Sequence, residues 1–227
     1  MSNLPSSSFP LATFEQQDSL ELALIGAADD PLRAQLQSFV RSRFAAIYGA
    51  SVQHFMPELL GLRQADALQA VVGLRPAMQG ALFLEQYLDA PACQMIAARS
   101  GVPVRREQVI EVGNLAALTP GGARMLIVAL THYLAAQGYR WVVFTGTAML
   151  LNSFQRLALS PVDLGLADPA RLGEGPAEWG SYYATRPRVM AGYIPEGLAQ
   201  LERRRVLQRM GYRPNYTARQ EMNDVSA

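Results

Sequence analysis

A glutamate and a glycine pair ten residues further on are the features of this chain best suited to chemistry. Glu111 lies in an apolar run, Gln108 to Leu118. Thr119-Pro120-Gly121-Gly122 follows at once, ahead of a helical pattern from Ala123 to Gln137. A strand that turns tightly into a helix presents helix amides with no intrahelical acceptor, at the positive end of the helix dipole. Two glycines let a ligand approach that backbone closely. Gly121, Gly122 and Ala123 therefore read as a phosphate cradle that needs no lysine, with Arg124 adding a charged fork. The same residues also suit an ordinary turn, in which glycine serves only the bend. Glu111 could take a proton from an amine, and partial burial would make it a better base. Its other reading is a structural ion pair with Arg105 or Arg106. Glu85 and Asp89, four positions apart, put two carboxylates on one face of a predicted helix, suited to an amine or to solvent.

Other chemistry is excluded by composition. All 20 basic residues are arginine, so a P-loop lysine, a Schiff-base lysine and a lysine base are ruled out. One cysteine, Cys93, allows no intrachain disulfide, and with His54 and His132 as the two histidines no Cys/His metal site is expected. Cys93 reads as an inert buried thiol and His132 as a core residue within a helix, while His54 lies in a loop with no assignable role. A formal charge of +1 gives no basic excess for nucleic acid or for an anionic membrane. Trp179, Tyr182 and Tyr183 sit on a β-like run and suit either the core or an acyl pocket.

These side chains need a scaffold. The chain is 50% hydrophobic and 17% charged, enough for a sizeable core. A strand is expected at Leu20–Gly26, closed by Ala27 to Asp30. A helix follows over Pro31–Tyr48, with Asp30 as cap, Pro31 at the first helical position and Gly49 as stop. Strands are expected at Glu58–Arg63 and Ala67–Leu74 around an Asp66 turn, at Gln108–Leu118, Arg140–Phe144, Trp179–Tyr183 and Val189–Ile194. Helices are expected at Gly80–Ala98, with a kink or break at Asp89-Ala90-Pro91, and at Ala123–Gln137, Leu150–Leu159 and Pro195–Met210. Pro161–Pro176 reads as a loop. This order predicts a single α/β (α+β) domain over residues 19–211, between a disordered tail at 1–18 and a flexible one at 212–227. No apolar run reaches 18 residues and no signal peptide is apparent, so a cytoplasmic protein is expected.

Residues Glu111 to Leu159 resemble the cofactor half of the GNAT acyltransferase superfamily. Gly121 and Ala123 match the last two positions of its Gln/Arg-x-x-Gly-x-Gly/Ala turn, while Leu118 stands where Gln or Arg is usual. Six blocks resemble the thermostable hemolysin family: Phe83 to Asp89, Glu111 to Ala116, Gly121 to Arg124, Phe144 to Thr147, Ala167 to Pro169 and Trp179 to Tyr183. The layout is also similar to acyl-homoserine-lactone synthases. The resemblance implies a GNAT-like mixed, mostly antiparallel central sheet with helices on both faces. It implies transfer of an acyl group from acyl-CoA or acyl carrier protein, as co-substrate, to a small amine acceptor, with no metal. Gly121, Gly122, Ala123 and Arg124 would hold the donor's phosphates. Free amides at Gly113, Asn114 and Leu115 would polarise the thioester, and Glu111, on the strand that splays, would be the base. Asn152 would cap its helix or bond to the pantetheine arm. The tyrosine acid common in these enzymes is absent, since Leu159 and Ser160 stand in its place. Two other readings stay open: a membrane-active hemolysin, and a catalytically silent binding domain on the same fold. A homodimer is compatible with either.

Overall fold

Alternating and periodic apolar residues fold as a sheet flanked by helices. The computed structural model describes residues 10–15, 20–25, 31–65, 67–173 and 176–217. The Ala27–Asp30 turn, the Asp30 cap and the Asp66 turn lie outside the described residues. In chain order the elements are β1 (Ala12–Phe14), β2 (Leu20–Ile25), α1 (Pro31–Tyr48), β3 (Glu58–Gln64), β4 (Ala67–Pro76), α2 (Ala92–Ser100) and β5 (Val109–Ala117). Then come α3 (Pro120–Ala136), β6 (Trp141–Gly146), α4 (Ala148–Arg156), β7 (Val162–Leu166), β8 (Arg188–Tyr193), α5 (Ile194–Arg203), α6 (Val206–Arg209) and β9 (Tyr212–Pro214).

The strands form one sheet in the order β7-β8-β6-β5-β4-β3-β2-β1-β9. Every neighbouring pair is antiparallel except β5 and β6, which run parallel around the α3 crossover. One face buries the apolar stripe of α3 (Leu126, Ala129, Leu130, Tyr133) on Leu60, Val72, Ile110 and Phe144. On the other face α1 packs Leu36, Val40 and Phe44 on Leu59, Val71 and Ala116. Beside it Leu84, Tyr87 and Ile96 cover Val109, Val143 and Val189. The expected mixed, mostly antiparallel sheet with helices on both faces is what forms.

Several local expectations are corrected. The helix expected at Gly80–Ala98 is a short 3-10 turn at Phe83–Tyr87 followed by α2. Pro91 has no N–H for a continuous helix, and Leu88 is extended. Trp179–Tyr183 is not a strand but the meeting of two 3-10 turns, Pro176–Trp179 and Tyr182–Thr185. Gly180 takes φ +52° there, and a Cβ would collide with the Tyr48 carbonyl oxygen. The loop expected at Pro161–Pro176 contains β7, an edge strand pairing with β8 through a bulge between Asp163 and Gly165. Edge strands tolerate such Gly- and Pro-rich stretches. Strands form inside both stretches expected as tails. β1 falls within 1–18 and β9 within 212–227, and the two pair with each other. Tyr212 packs on Phe14 at 5.2 Å, and Tyr216 bonds His132 Nδ1 at 2.8 Å. Burial of these aromatic rings offsets the entropy of ordering the chain ends.

Candidate active site

The parallel pair β5–β6 comes apart. Pairing runs from Val109 opposite Trp141 to Val112 opposite Phe144 and stops, although β5 continues to Ala117 and β6 to Gly146. On its other side β5 pairs Ala116 with Val71 and Gly113 with Gly73, so Asn114 and Leu115 together face Val72. That is a bulge, with Asn114 at φ +50°. The splay leaves the β6-facing edge of Gly113 to Leu115 without a strand partner.

The bulge is braced from above. Asn114 Oδ1 accepts the Met56 N–H at 2.8 Å, and its Nδ2 donates to the His54 carbonyl at 3.3 Å. Its side chain is thus committed to the 54–56 loop, and its contribution to an oxyanion rests on its backbone. Met56 lies directly on Gly73 and Gly113. A Cβ on Gly73 would stand 2.5 Å from Met56 Cβ, and one on Gly113 would collide with Met56 Cε.

A cavity of about 1180 Å³ opens at the splay and is lined from both sheet faces. On the α3 side its walls include the aliphatic and phenyl groups of Ile127, Leu130, Leu134, Leu150 and Phe154, with Thr131, Glu196 and Gln200 as polar members. On the α1 side they are aromatic: Phe44, Tyr48, Phe83, Trp179, Tyr182 and Tyr183. Trp179, Tyr182 and Tyr183 pack in the core below α1 and also line the cavity.

Glu111 lines the cavity close to the splay and is 2% exposed. Its Oε2 accepts the Phe83 N–H at 2.8 Å and its Oε1 the Leu84 N–H at 2.9 Å. Burial pushes its carboxyl above the usual carboxylate range, although both amides and the charge of Arg75, its register partner on β4, pull the other way. The expected alternative, an ion pair with Arg105 or Arg106, does not form. Arg105 pairs with Glu107, and Arg106 pairs with Glu85 at 2.8 Å. Glu85 does not line the cavity. Its carboxylate accepts the Leu82 N–H at 2.9 Å and the Ala92 N–H at 2.8 Å. Burial alone would raise its pKa; the Arg106 bond and these amides outweigh that and lower it. Asp89 pairs with Arg171. Glu85 and Asp89 thus do not share a helix face, because the helix that would align them is broken.

Tyr87 and Tyr183 share a hydroxyl–hydroxyl bond of 2.6 Å, and the Tyr87 phenol feels the Glu111 charge. Tyr48, at the end of α1, bonds the Thr147 side chain at the start of α4. Tyr48 and Tyr87 went unassigned because they come from segments distant from Tyr183 and from each other, which no local motif joins.

At the α3 start, Thr119 is the N-cap. Its Oγ1 accepts the Gly122 N–H at 3.1 Å, and its carbonyl accepts the Ala123 N–H at 3.2 Å. Pro120 at the first position has no N–H, which leaves the Gly121 amide as the first-turn donor without an intrahelical acceptor. Both glycines sit inside the helix rather than before it, and neither is required by the fold. A Cβ would meet Thr119 Oγ1 at 3.5 Å from Gly121, and Gln69 O at 3.5 Å from Gly122, both ordinary contacts. The cavity reaches Leu118, Thr119, Pro120 and Ala123, but not Gly121, Gly122 or Arg124. Asn152 is exposed in the middle of α4, whose N-cap is Thr147, so its capping role is corrected. The cavity-facing residues of α4 are Met149, Leu150, Ser153 and Phe154.

Solved structures share this architecture. An N-acyl amino acid synthase from uncultured soil microbes, FeeM, superposes with a TM-score of 0.56 at 18% identity, over 82% of this chain and 97% of that one. The AHL synthase LasI gives 0.52 at 8% identity over 78% and 91%. The CoA-dependent acyl-homoserine lactone synthase BjaI, solved with SAM and isopentyl-CoA, gives 0.50 at 13% identity over 81% and 89%. At such identities the likeness is one of fold alone, the GNAT-like fold. A search of curated proteins gives no match. The model of thermostable hemolysins matches residues 27–198, which include β5, the splay and the whole aromatic wall, and the chain belongs to that family.

Proposed function

We propose that the chain transfers an acyl group from acyl-CoA or acyl carrier protein to a small primary amine. The observation that carries this reading is the splay between β5 and β6, with a buried carboxylate beside it and chemically different lobes on its two sides. The apolar α3-side lobe suits an acyl chain, and the aromatic α1-side lobe, next to Glu111, suits the acceptor. The donor's phosphates would sit at the α3 start, where Gly121 offers its amide, with Gly122, Ala123 and Arg124 around it. The thioester carbonyl would lie against the Gly113–Leu115 edge. Asn152, on the exposed face of α4, is left to the outer part of the donor.

In this mechanism Glu111 takes one proton from the acceptor's ammonium. The neutral nitrogen forms a C–N bond to the carbonyl carbon while the C=O electron pair moves onto oxygen, facing the Gly113–Leu115 amides. Collapse of this intermediate breaks the C–S bond, and the departing sulfur takes the proton that the new amide nitrogen sheds. Glu111 returns its proton to solvent. The carboxylate still has a free lone pair on each oxygen after accepting Phe83 and Leu84, so it can meet the amine without releasing either amide.

The test is thioester consumption, followed as free thiol, with a series of acyl-CoA donors and of carrier-protein thioesters and a panel of amines. Amine-dependent thiol release with formation of the amide supports the reading. No release from either donor type with any amine overturns it. The lytic reading has its own test: no helix among the described residues is long and apolar enough to cross a membrane, and purified protein is expected to leave dye-filled liposomes intact.

A further inference from the structure

One charged group of the cavity takes no part in the transfer steps. Arg43 of α1 lines the cavity, and its Nε is buried with no hydrogen-bond partner among the described residues. Its guanidinium makes no ion pair or hydrogen bond to any of them. A buried N–H of a charged group is costly without an acceptor, and such a group marks a place where something bound completes the bond. The neighbouring guanidinium groups are engaged. Arg33 donates to the carbonyls of Met56 and Pro57, and Arg41 to that of Val52. Arg75 lines the cavity beside Glu111, donates to the Ala81 carbonyl and offsets the Glu111 charge. The buried Nε of Arg63 is also without a partner, but Arg63 lies on β3 and does not line the cavity.

Helix geometry fixes where Arg43 lies. Arg41 and Arg43 fall about 200° apart around α1, on opposite flanks. The Arg41 flank faces the loop whose Met56 sits on Gly73 and Gly113. Arg43 shares the other flank with Leu36, two turns back. The side chains of Leu36 and Leu68 meet over Gly61. Leu68 stands near the start of β4, the end that pairs with the close of β5, Ala70 opposite Ala117. The Arg43 flank is therefore turned toward the end of β5. There Leu118 donates to the Gln69 carbonyl at 2.9 Å, and Thr119 caps α3. Ile47, one turn on from Arg43, together with Leu118 and Met149, lines the cavity and is exposed. These three make an apolar rim at the open end of the splay, across which Tyr48 bonds Thr147 at the start of α4. Glu111 lies back in the paired stretch of β5, away from this end.

We propose that Arg43 is the phosphate-binding residue of the donor site. Its guanidinium takes the phosphate on the pantetheine arm of the donor, at the mouth where β5 passes into α3. Coenzyme A and carrier-protein thioesters share that group, and a guanidinium fork suits phosphate oxygens. The apolar rim covers the arm on its way into the splay. Among the residues at the α3 start, Gly121, Gly122 and Arg124 do not line the cavity, so Arg43 supplies the charge that this turn does not bring to the mouth. The inference rests on the acyl-transfer reading for the nature of the donor, but phosphate recognition is measured without turnover.

The experiment uses the full chain. Calorimetry reads the binding of 4′-phosphopantetheine, pantetheine and coenzyme A, and thiol release reads turnover of acyl-CoA, a carrier-protein thioester and acyl-pantetheine. 4′-Phosphopantetheine is expected to bind about tenfold more tightly than pantetheine, the worth of a charge-assisted hydrogen bond. Arg43→Gln is expected to remove that advantage and to leave pantetheine unchanged. Its melting temperature should not fall, because no protein bond is lost. In turnover the variant should raise the KM of phosphate-bearing donors about tenfold, with kcat and the amine KM unchanged. Acyl-pantetheine should serve both proteins alike, and Arg43→Lys, which keeps the charge, should fall between them. A rise confined to acyl-CoA or to the carrier-protein thioester supports the inference and identifies the source of the phosphate. Equal binding of 4′-phosphopantetheine and pantetheine by wild type overturns it, even if Arg43→Gln fails to fold. So does a variant that loses amine affinity while its donor KM holds, which would give Arg43 to a carboxylate of the acceptor. Thiol release insensitive to Arg43→Gln overturns the role of Arg43 and leaves acyl transfer standing. Phosphate-dependent binding lost in Arg43→Gln, with no thiol release from any donor, does the reverse.

Discussion

The two lobes that meet at the β5–β6 splay are built in opposite ways. The α3-side lobe comes from regular elements. Ile127, Leu130 and Leu134 follow one another along the apolar stripe of α3, and Phe154 of α4 stacks on Phe144 at 4.8 Å. Its stability is that of hydrophobic burial, which is non-directional and tolerant of exchange among apolar groups. The α1-side lobe is built from short turns and a loop, held by directional bonds. Glu111 gathers the Phe83 and Leu84 amides, Asn114 fixes the 54–56 loop, and Gly180 lets the Trp179 turn close on Tyr48. The comparison teaches that polar substitution should damage the second lobe far more than the first, while volume changes in the first should tune rather than destroy.

The largest effect is expected at Glu111. Glu111→Gln should lower the rate by about two to four orders of magnitude, as loss of a general base does. It also gives up one of two acceptors and turns an NH2 group toward a backbone N–H, so stability should fall by about 1–3 kcal/mol. Turnover on folded protein separates the two effects. Normal turnover with a lowered melting temperature would leave Glu111 as a support for the Phe83 turn alone. Because burial raises the Glu111 pKa, the acid limb of the rate–pH profile should lie above the ordinary carboxylate range. The sign for stability follows: with the folded pKa above the unfolded one, the folded form holds the proton more tightly. This group therefore favours folding at low pH and withdraws that contribution as pH rises through the folded pKa. Wild type minus Glu111→Gln in melting experiments across acid pH reads this slope.

Next comes the brace. Gly73→Ala places a methyl group against the stem of Met56 and should destabilise by about 1–3 kcal/mol, by overpacking. Gly113→Ala meets only the movable end of the same side chain and should cost less, with recovery in a Met56→Ala background. Equal losses for the two glycine variants would show that the loop is not pressed on the bulge as described.

In the aliphatic lobe, Leu130→Trp should shorten the longest acyl chain accepted and spare amine affinity. Each methylene displaced is worth about 0.8 kcal/mol, or roughly fourfold in relative kcat/KM. A loss of amine binding instead would mean that the lobes are not separate. The smallest effects are expected at the donor mouth. Gly121→Ala and Asn152→Ala should leave the melting temperature unchanged, since one Cβ fits and the other side chain is exposed. Donor affinity is then a clean readout, expected to fall for Gly121→Ala and, by less, for Asn152→Ala.

Much of the frame was legible in the residues. The apolar run around Glu111, the helical stripe of α3 and the capping signals of Thr119-Pro120 act through neighbours a few positions away, so the chain states them directly. The family-like blocks likewise placed Glu111 on the splaying strand. What local sequence could not give was every feature made by distant partners. Arg106 is much nearer Glu111 than Glu85 along the chain, yet the chain path gave it to Glu85. Trp179 to Tyr183 alternates like a strand, yet packing against Tyr48 forced a left-handed turn at Gly180. Pairing of β1 with β9 ordered chain ends whose composition alone reads as tail. The sequence by itself determined most of the long helices and strands and the absence of lysine chemistry, because propensity and periodicity are short-range. Only the tertiary structure decided which carboxylate faces the cavity and that aromatic rings from α1, the Phe83 turn and the Trp179 turn close into one wall, because those contacts span more than 130 residues and depend on how the sheet brings them together.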